Sequence, residues 1–338
     1  MHHRHIHLLE KLQVQLAAVS ALAVVYFAVW PILRPWDPQG PVTFLPGDHF
    51  PDLATFAGVL WALAAACAVA TISSRPEGAL LAALIGAAGV SLRSESIRGL
   101  LWTWPGSFSS LFLELMVEVL LLFVILLVAA IIISAVRRAI ASINPKLVWK
   151  DRLSELLQEQ PGPKAKAKGP EFSGPIETYF LPRLLRLLGA TGKAGGPSTR
   201  FISPLALVRC IACLVLGVII ALALLLLLMR SGDRGQILFA LVASFFLAAL
   251  VAHQVFPAPY GLVAWLTPAV AAMALYALAA ASSIGGGPQA WMDIKPYAQA
   301  LPVDWLTAGA GGALIGYWIS ERTYESRLLE QREEHKSQ

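Results

Sequence analysis

Five ionisable residues stand where a hydrocarbon-buried sequence should carry none. Arg93, Glu95 and Arg98 close one long apolar run, and Glu114 and Glu118 open the next. A charge at the bilayer centre costs at least about 2.5 kcal/mol on insertion scales, so it persists where it is paired or functional. Glu114 and Glu118 are four residues apart and share one helix face. At about 1.5 Å per residue, Arg93 lies ~24 Å along its run, while Glu114 and Glu118 lie ~6 Å and ~12 Å into theirs. Arg93 and Glu114 thus fall at matching depth. Ser91, Ser94, Glu95 and Arg98 form a second polar stripe, by 100° steps. The spacing predicts that the two faces meet, with two arginines answering two of three glutamates. Glu118 is the deepest and has the fewest obvious partners, so it is the candidate for holding a proton or cation in a hydrated pocket. The plainer reading is a static pairing that fixes the two helices.

Other chemistries are less well supported. Glu114 and Glu118 lack the Glu-x-x-His pairs that complete a di-metal carboxylate centre in a bundle, and no metal site is assigned. His253 is the one histidine inside an apolar run. Four imidazoles between His2 and His7 could hold a transition metal weakly, a purely compositional signal. Cys210-x-x-Cys213 lies in an apolar run beside Arg209, which favours buried thiols over a redox pair. There is no phosphate-binding glycine loop, no nucleophile elbow and no His-Glu-x-x-His helix. No catalytic residue and no cofactor are assigned.

These residues must be positioned by membrane helices. Of the 338 residues, 57% are hydrophobic and 14% charged, against about 25% charged in soluble domains. Eight runs approach the ~20 apolar residues that cross a bilayer: Leu12–Leu33, Leu53–Ile72, Glu77–Leu101, Ser110–Val136, Pro204–Met229, Gln236–Phe256, Tyr260–Ala281 and Asp304–Ser320. The first is too long for a signal-peptide core of about 7–15 residues. The expected fold is an all-α polytopic membrane bundle of about eight transmembrane helices, four and four, joined by a basic cytoplasmic linker. The expected segments are 1–138, a first four-helix half; 139–203, the linker; 204–320, a second half; and 321–338, a charged tail. A faint echo between Phe50–Gly58 and Leu301–Gly309 is what helix capping alone would produce.

Basic residues set the orientation. Arg4, Lys11, Arg75, twelve between Arg137 and Arg200, and four in the tail fall on one side. That side is read as cytoplasmic, with both termini there and the chain in the cell membrane. The linker carries amphipathic stretches around Trp149–Leu157 and Ile176–Leu188 and a Lys164–Lys168 basic run. It is expected to meet anionic lipid rather than nucleic acid. Small residues every fourth position mark helix packing: Gly58 in the second run, Gly86 in the third, Gly312 and Gly316 in the eighth. A homodimer seam through the eighth run is the minor alternative. Outer-loop aromatics, among them Trp36, Phe50, Trp104 and Trp291, suit interface anchoring.

The sequence favours a non-enzymatic membrane component, a scaffold or accessory subunit with a protein partner. A transporter or channel for a small solute, ion or proton, using Arg93, Glu114 and Glu118, is the first alternative. A lipid-modifying enzyme, with His253 near the headgroups, is the second. The balance leans away from an enzyme.

Overall fold

The computed structural model describes residues 2–35, 40–44, 52–104, 106–144, 204–258, 261–282 and 294–337. The linker from 145 to 203 lies outside the described residues, as do Trp36, Asp48, His49, Phe50 and Trp291. Every described element is helical.

Helix α1 runs His2–Ala23, widens into a π-helical turn over Val24–Val29 and ends as Trp30–Leu33. Pro31 explains the widening. It has no N–H for the Phe27 carbonyl, and its ring crowds that oxygen. Helix α2, Leu53–Ala70, starts where the Asp52 side chain accepts the Ala54 N–H at 3.1 Å. Helix α3, Pro76–Arg93, opens on a proline that needs no partner there. The short α4 follows at Arg98–Thr103. Helix α5, Phe108–Ile143, is capped by Ser107, whose hydroxyl accepts the Ser110 N–H at 3.2 Å. Then come α6, Pro204–Leu228; α7, Arg234–Val255; and α8, Leu262–Ser282. Helix α9 begins as Pro302–Asp304, passes through a π-helical turn at Trp305–Gly309 and continues as Ala310–Ser337.

The expected single span Glu77–Leu101 is therefore two helices. Ser94 is extended, at φ −70° and ψ 140°, and its hydroxyl accepts the Val42 N–H at 2.8 Å. That bond lies at the end of α3 and holds Pro41–Thr43, which are buried, against it. Glu95 and Arg98 sit beyond the break and are exposed.

Among the described residues, six helices are long and apolar enough to cross a membrane: Glu10–Leu33, Leu53–Ala70, Phe108–Ile143, Leu207–Leu228, Arg234–Val255 and Leu262–Ser282. The chain is an integral membrane protein. The outer faces of these helices carry rows of exposed apolar side chains, such as Val117, Leu121 and Val124 on α5 and Val215, Ile219 and Leu226 on α6. Water would not tolerate such a surface; lipid does.

Two helices occupy the middle. In α3, thirteen of eighteen residues are buried. In α9, every residue from Pro302 to Leu314 is buried. Helix α3 packs on α1, α2, α5 and α9, and α9 packs on α3, α7 and α8. Helices α5 and α8 pair along their length, and α6 lies against α7 and α8. The end of the bundle where α1 begins is called proximal below, and the other distal.

Close approach is bought with glycine at specific places. A Cβ on Gly312 would lie 2.5 Å from the Val242 carbonyl oxygen, and one on Gly316 would overlap that of Phe246, so α9 lies backbone to backbone on α7. The GxxxG ridge is thus engaged within the monomer. Gly86 faces Ala21 at 2.8 Å, and Gly78 faces Val14 at 2.8 Å, which sets α1 parallel to α3. Gly58 differs: nothing lies within 4 Å of its would-be Cβ. Ala54, Gly58, Ala62, Ala66 and Ala70 all point outward, so the α2 ridge is not an internal packing seam.

Gly316→Ala is expected to lower stability by about 1–3 kcal/mol, the usual cost of overpacking. Gly58→Ala should be neutral or stabilise by up to ~1 kcal/mol through helix propensity. Thermal unfolding of both variants in the same detergent checks this; equal midpoints would contradict the packing.

Candidate functional site

The polar residues of the distal half-bundle gather around the start of α9. Asp304 is the third residue of that helix and has no exposed surface. Its Oδ2 accepts the Leu301 N–H at 2.8 Å, closing the first turn. A carboxylate there is favoured by the unpaired amides of the helix start. Arg234, the first residue of α7, reaches it with both guanidinium arms: Nη1 to Oδ2, and Nη2 to Oδ1 at 2.5 Å. Such a two-pronged, charge-assisted pair is among the stronger polar contacts in proteins. The same guanidinium donates from Nε at 3.1 Å and Nη2 at 2.7 Å to the Ser91 carbonyl, in the last turn of α3. One side chain therefore ties together the start of α7, the start of α9 and the end of α3.

A second contact lies beside it. The Ser91 and Thr307 hydroxyls meet at 2.9 Å, and Thr307 also donates to the Val303 carbonyl at 2.6 Å within the π-helical turn. Tyr276 of α8 is buried, and its hydroxyl donates to the Ala300 carbonyl. Its ring stacks on Phe112 and stands edge-on to Trp305.

Glu118 closes this group from α5. It is 2% exposed, and neither carboxylate oxygen has a hydrogen-bond partner. Asp304 and Tyr276 are its electrostatic neighbours, and the Phe44 backbone amide acts on it without reaching bonding geometry. The buried segment Pro41–Thr43 brings that amide in, and the Phe44 ring rests 4.9 Å from Phe56. Ten residues into α5, Glu118 lies about 15 Å from the helix start.

The structure does not bring the five sequence candidates together. Arg93 turns to α1, with its guanidinium 4.8 Å from the Tyr26 ring and 5.3 Å from the Trp30 ring, and it donates to the Tyr26 carbonyl at 3.5 Å. Those rings satisfy the cation by attraction to their π faces. Glu114 is half-buried and makes no ion pair with Arg93 or Arg98 among the described residues. Glu95 is exposed on the distal side, and Arg98 runs beside Gly232 and Gln299. Depth along a helix does not fix the direction a side chain takes around it.

Sequence reasoning missed Asp304 and Arg234. Asp304 reads as an ordinary capping residue, and Arg234 as a loop cation. Their one signal is that each begins an apolar run with a charge of opposite sign. It also missed a Ser–His contact. His253 Nδ1 and Ser320 Oγ meet at 2.8 Å between α7 and α9. Both are buried, and the space beyond holds about 10 Å³, lined by Cys213, Thr267 and Tyr317, roughly one water probe. This contact joins two helices and offers no room for a lipid carbonyl.

The proximal end is held by charges that sequence reasoning used only for orientation. Arg137 of α5 is 1% exposed and donates to the carbonyls of Thr71, Ile72 and Ser74 at 3.3, 3.1 and 2.5 Å, below the end of α2. Arg75 pairs with Glu321 at 2.7 Å, and Arg322 with Glu10 at 3.2 Å. Among the described residues no cluster of histidine, cysteine and acidic side chains could hold a metal. No family model, curated protein or solved structure matches the chain.

Arg234→Ala is expected to cost about 3–5 kcal/mol, because it strands a buried carboxylate. Arg93→Leu should cost about 1 kcal/mol. The double change Arg234→Met with Asp304→Leu should recover much of the loss. Unfolding midpoints of the four proteins test this, and an Arg93 variant as damaged as Arg234→Ala would refute the assignment.

Proposed function

We propose that the chain is a transporter for a small solute, ion or proton, with Glu118 as the group that takes up a proton or cation. One observation carries this reading: both oxygens of a carboxyl buried in the bundle are left without partners. Buried polar groups are nearly always satisfied, and the exceptions call for an explanation. A purely structural role is already served by Arg234 and Asp304, so packing gives no reason to keep Glu118. An unpaired carboxylate in low dielectric is stable only once neutralised by a proton or a cation. The irregular π-helical start of α9 beside it fits a transport site, since wide turns recur at functional positions.

The reading has eight crossings, the six apolar helices with α3 and α9. Enclosure by neighbours explains why these two carry small and polar residues rather than lipid-facing leucines. The halves 1–138 and 204–320 are joined by the linker 139–203. An even number of crossings puts both termini on one side, and the basic residues make it the cytoplasmic side of the cell membrane. The linker would then lie on anionic lipid, with 321–338 as a solvated tail.

A second reading keeps the chain as a subunit of a membrane complex. The outward ridge Ala54, Gly58, Ala62, Ala66 and Ala70 favours it, because small residues in steps of four allow another helix to approach.

In liposomes holding a pH-sensitive dye, an imposed proton, sodium or potassium gradient should drive a flux above that of empty vesicles. Glu118→Gln should reduce it at least tenfold while the unfolding midpoint stays level or rises. Equal flux in the two proteins, or none above background in either, would end the transport reading. For the second reading, Gly58→Leu with Ala62→Leu should release a stoichiometric copurifying partner at unchanged stability.

A further inference from the structure

Helices α1 and α9 each pack on α3 and are joined to one another at the proximal end by the Glu10–Arg322 pair. Between them lies an open groove of about 550 Å³, within the usual range for a ligand site. Its walls are Ala18 on α1, Leu81 and Ile85 on α3, and Ile315 and Ile319 on α9. Its proximal end is polar, with Lys11 and Gln15 on one side and Arg322 on the other.

The register of these residues against the membrane is informative. Lys11 immediately precedes the apolar run of α1, and Arg322 follows the apolar part of α9 by two residues. Both cations therefore lie at one interface, where headgroups sit. From Lys11 to Ala18, and from Arg322 back to Ile315, is seven residues each way, so the apolar walls extend about 10 Å below the cations. A charged mouth above an apolar slot of that depth, in a membrane, fits a phospholipid with its phosphate at the mouth and an acyl chain in the slot.

The charges select the headgroup. Arg322 is steadied by Glu10 and by the Trp318 ring, 4.6 Å away. Lys11 is exposed at the groove and brings a further positive charge. Glu10 does not line the groove. The Thr323 and Ser326 hydroxyls at the rim donate to their own helix, to the carbonyls of Ile319 and Arg322. The donors left facing a phosphate are thus the Lys11 ammonium and the Gln15 amide, beside the Arg322 guanidinium. We infer that the groove between α1 and α9 binds one anionic phospholipid from the proximal leaflet. The inference does not depend on Glu118.

The test is native mass spectrometry of the full chain from micelles holding equal phosphatidylglycerol and phosphatidylcholine. One phosphatidylglycerol should be retained with a preference on the order of tenfold, as expected when basic side chains sit at the surface of an anionic leaflet. Lys11→Glu should remove the preference, and Lys11→Gln should weaken it. Ile319→Trp, at a wall position 45% exposed, should reduce retention of both lipids by filling the slot. Lys295→Glu, at an exposed distal position, should change nothing. Glycerol phosphate should not displace the lipid; displacement would mark a plain anion site and overturn the proposal. Equal retention of the two lipids by the unaltered chain would overturn it, as would a preference that survives both Lys11→Glu and Ile319→Trp.

Discussion

A carboxyl group with no exposed surface needs partners brought to it, and Arg234 brings a charged one to Asp304 from another helix. The consequences reach well beyond the pair. An arginine at the first position of a helix is opposed by the helix dipole, so Arg234 would rather be elsewhere. Asp304 and the Ser91 carbonyl supply the negative potential that holds it. Each helix end thereby answers another: the start of α9 stabilises Asp304, Asp304 stabilises Arg234, and Arg234 satisfies a carbonyl that the end of α3 leaves unpaired. Because α3 belongs to the chain before the linker and α7 and α9 to the chain after it, this contact sets the register between the two stretches at the distal end. At the proximal end, the Arg75–Glu321 and Glu10–Arg322 pairs join the same two stretches.

Between those charged ends, α3 and α9 need no charge. They are enclosed by other helices, so lipid places no demand for large apolar side chains on them. In a membrane, helices gain little by hiding oil from oil, and contact area and close backbone approach take over. Gly78 and Gly86 against α1, and Gly312 and Gly316 against α7, are the places where that approach is closest. The same reasoning makes these helices look like poor spans by composition. A run interrupted by glycine and alanine and ending in serine and arginine is what the middle of a bundle requires.

This explains which features were legible in the sequence. Helical character, the six lipid-facing runs and the tail as a continuation of α9 follow from local composition and period, which a single sequence displays. Gly312 and Gly316 were readable as a close-packing ridge because their spacing is itself the signal. Gly58 had the same spacing and faces outward, since a four-residue step marks a face without saying what covers it. The break at Ser94 was hidden because the amide that its hydroxyl binds there, that of Val42, lies 52 residues away. Arg93 turns to Tyr26 and Trp30 rather than to Glu114, and a linear reading had no means to rank aromatic faces on α1 against a carboxylate on α5. The Arg234–Asp304 contact spans 70 residues, and each member alone resembles an ordinary helix start.

Glu118 and Asp304 are both buried acids within one polar group, and the contrast between them carries the most functional meaning. Asp304 has a backbone N–H, two guanidinium arms and a favourable helix end. Glu118 lies in mid-helix, where neighbouring backbone amides are already spent on the helix itself, and its acidic neighbour Asp304 repels it. If the group served only to hold helices, Leu or Met at position 118 would pack as well and would avoid burying an unpaired polar group. A carboxyl kept there at such a cost is what the proposed proton or cation site requires. Its neighbours fit that view: Tyr276 is held by Ala300, Thr307 by Ser91, and Arg234 by Asp304. The other ionisable members, Asp304, Arg234 and Tyr276, each have a hydrogen-bond partner, and Glu118 has none.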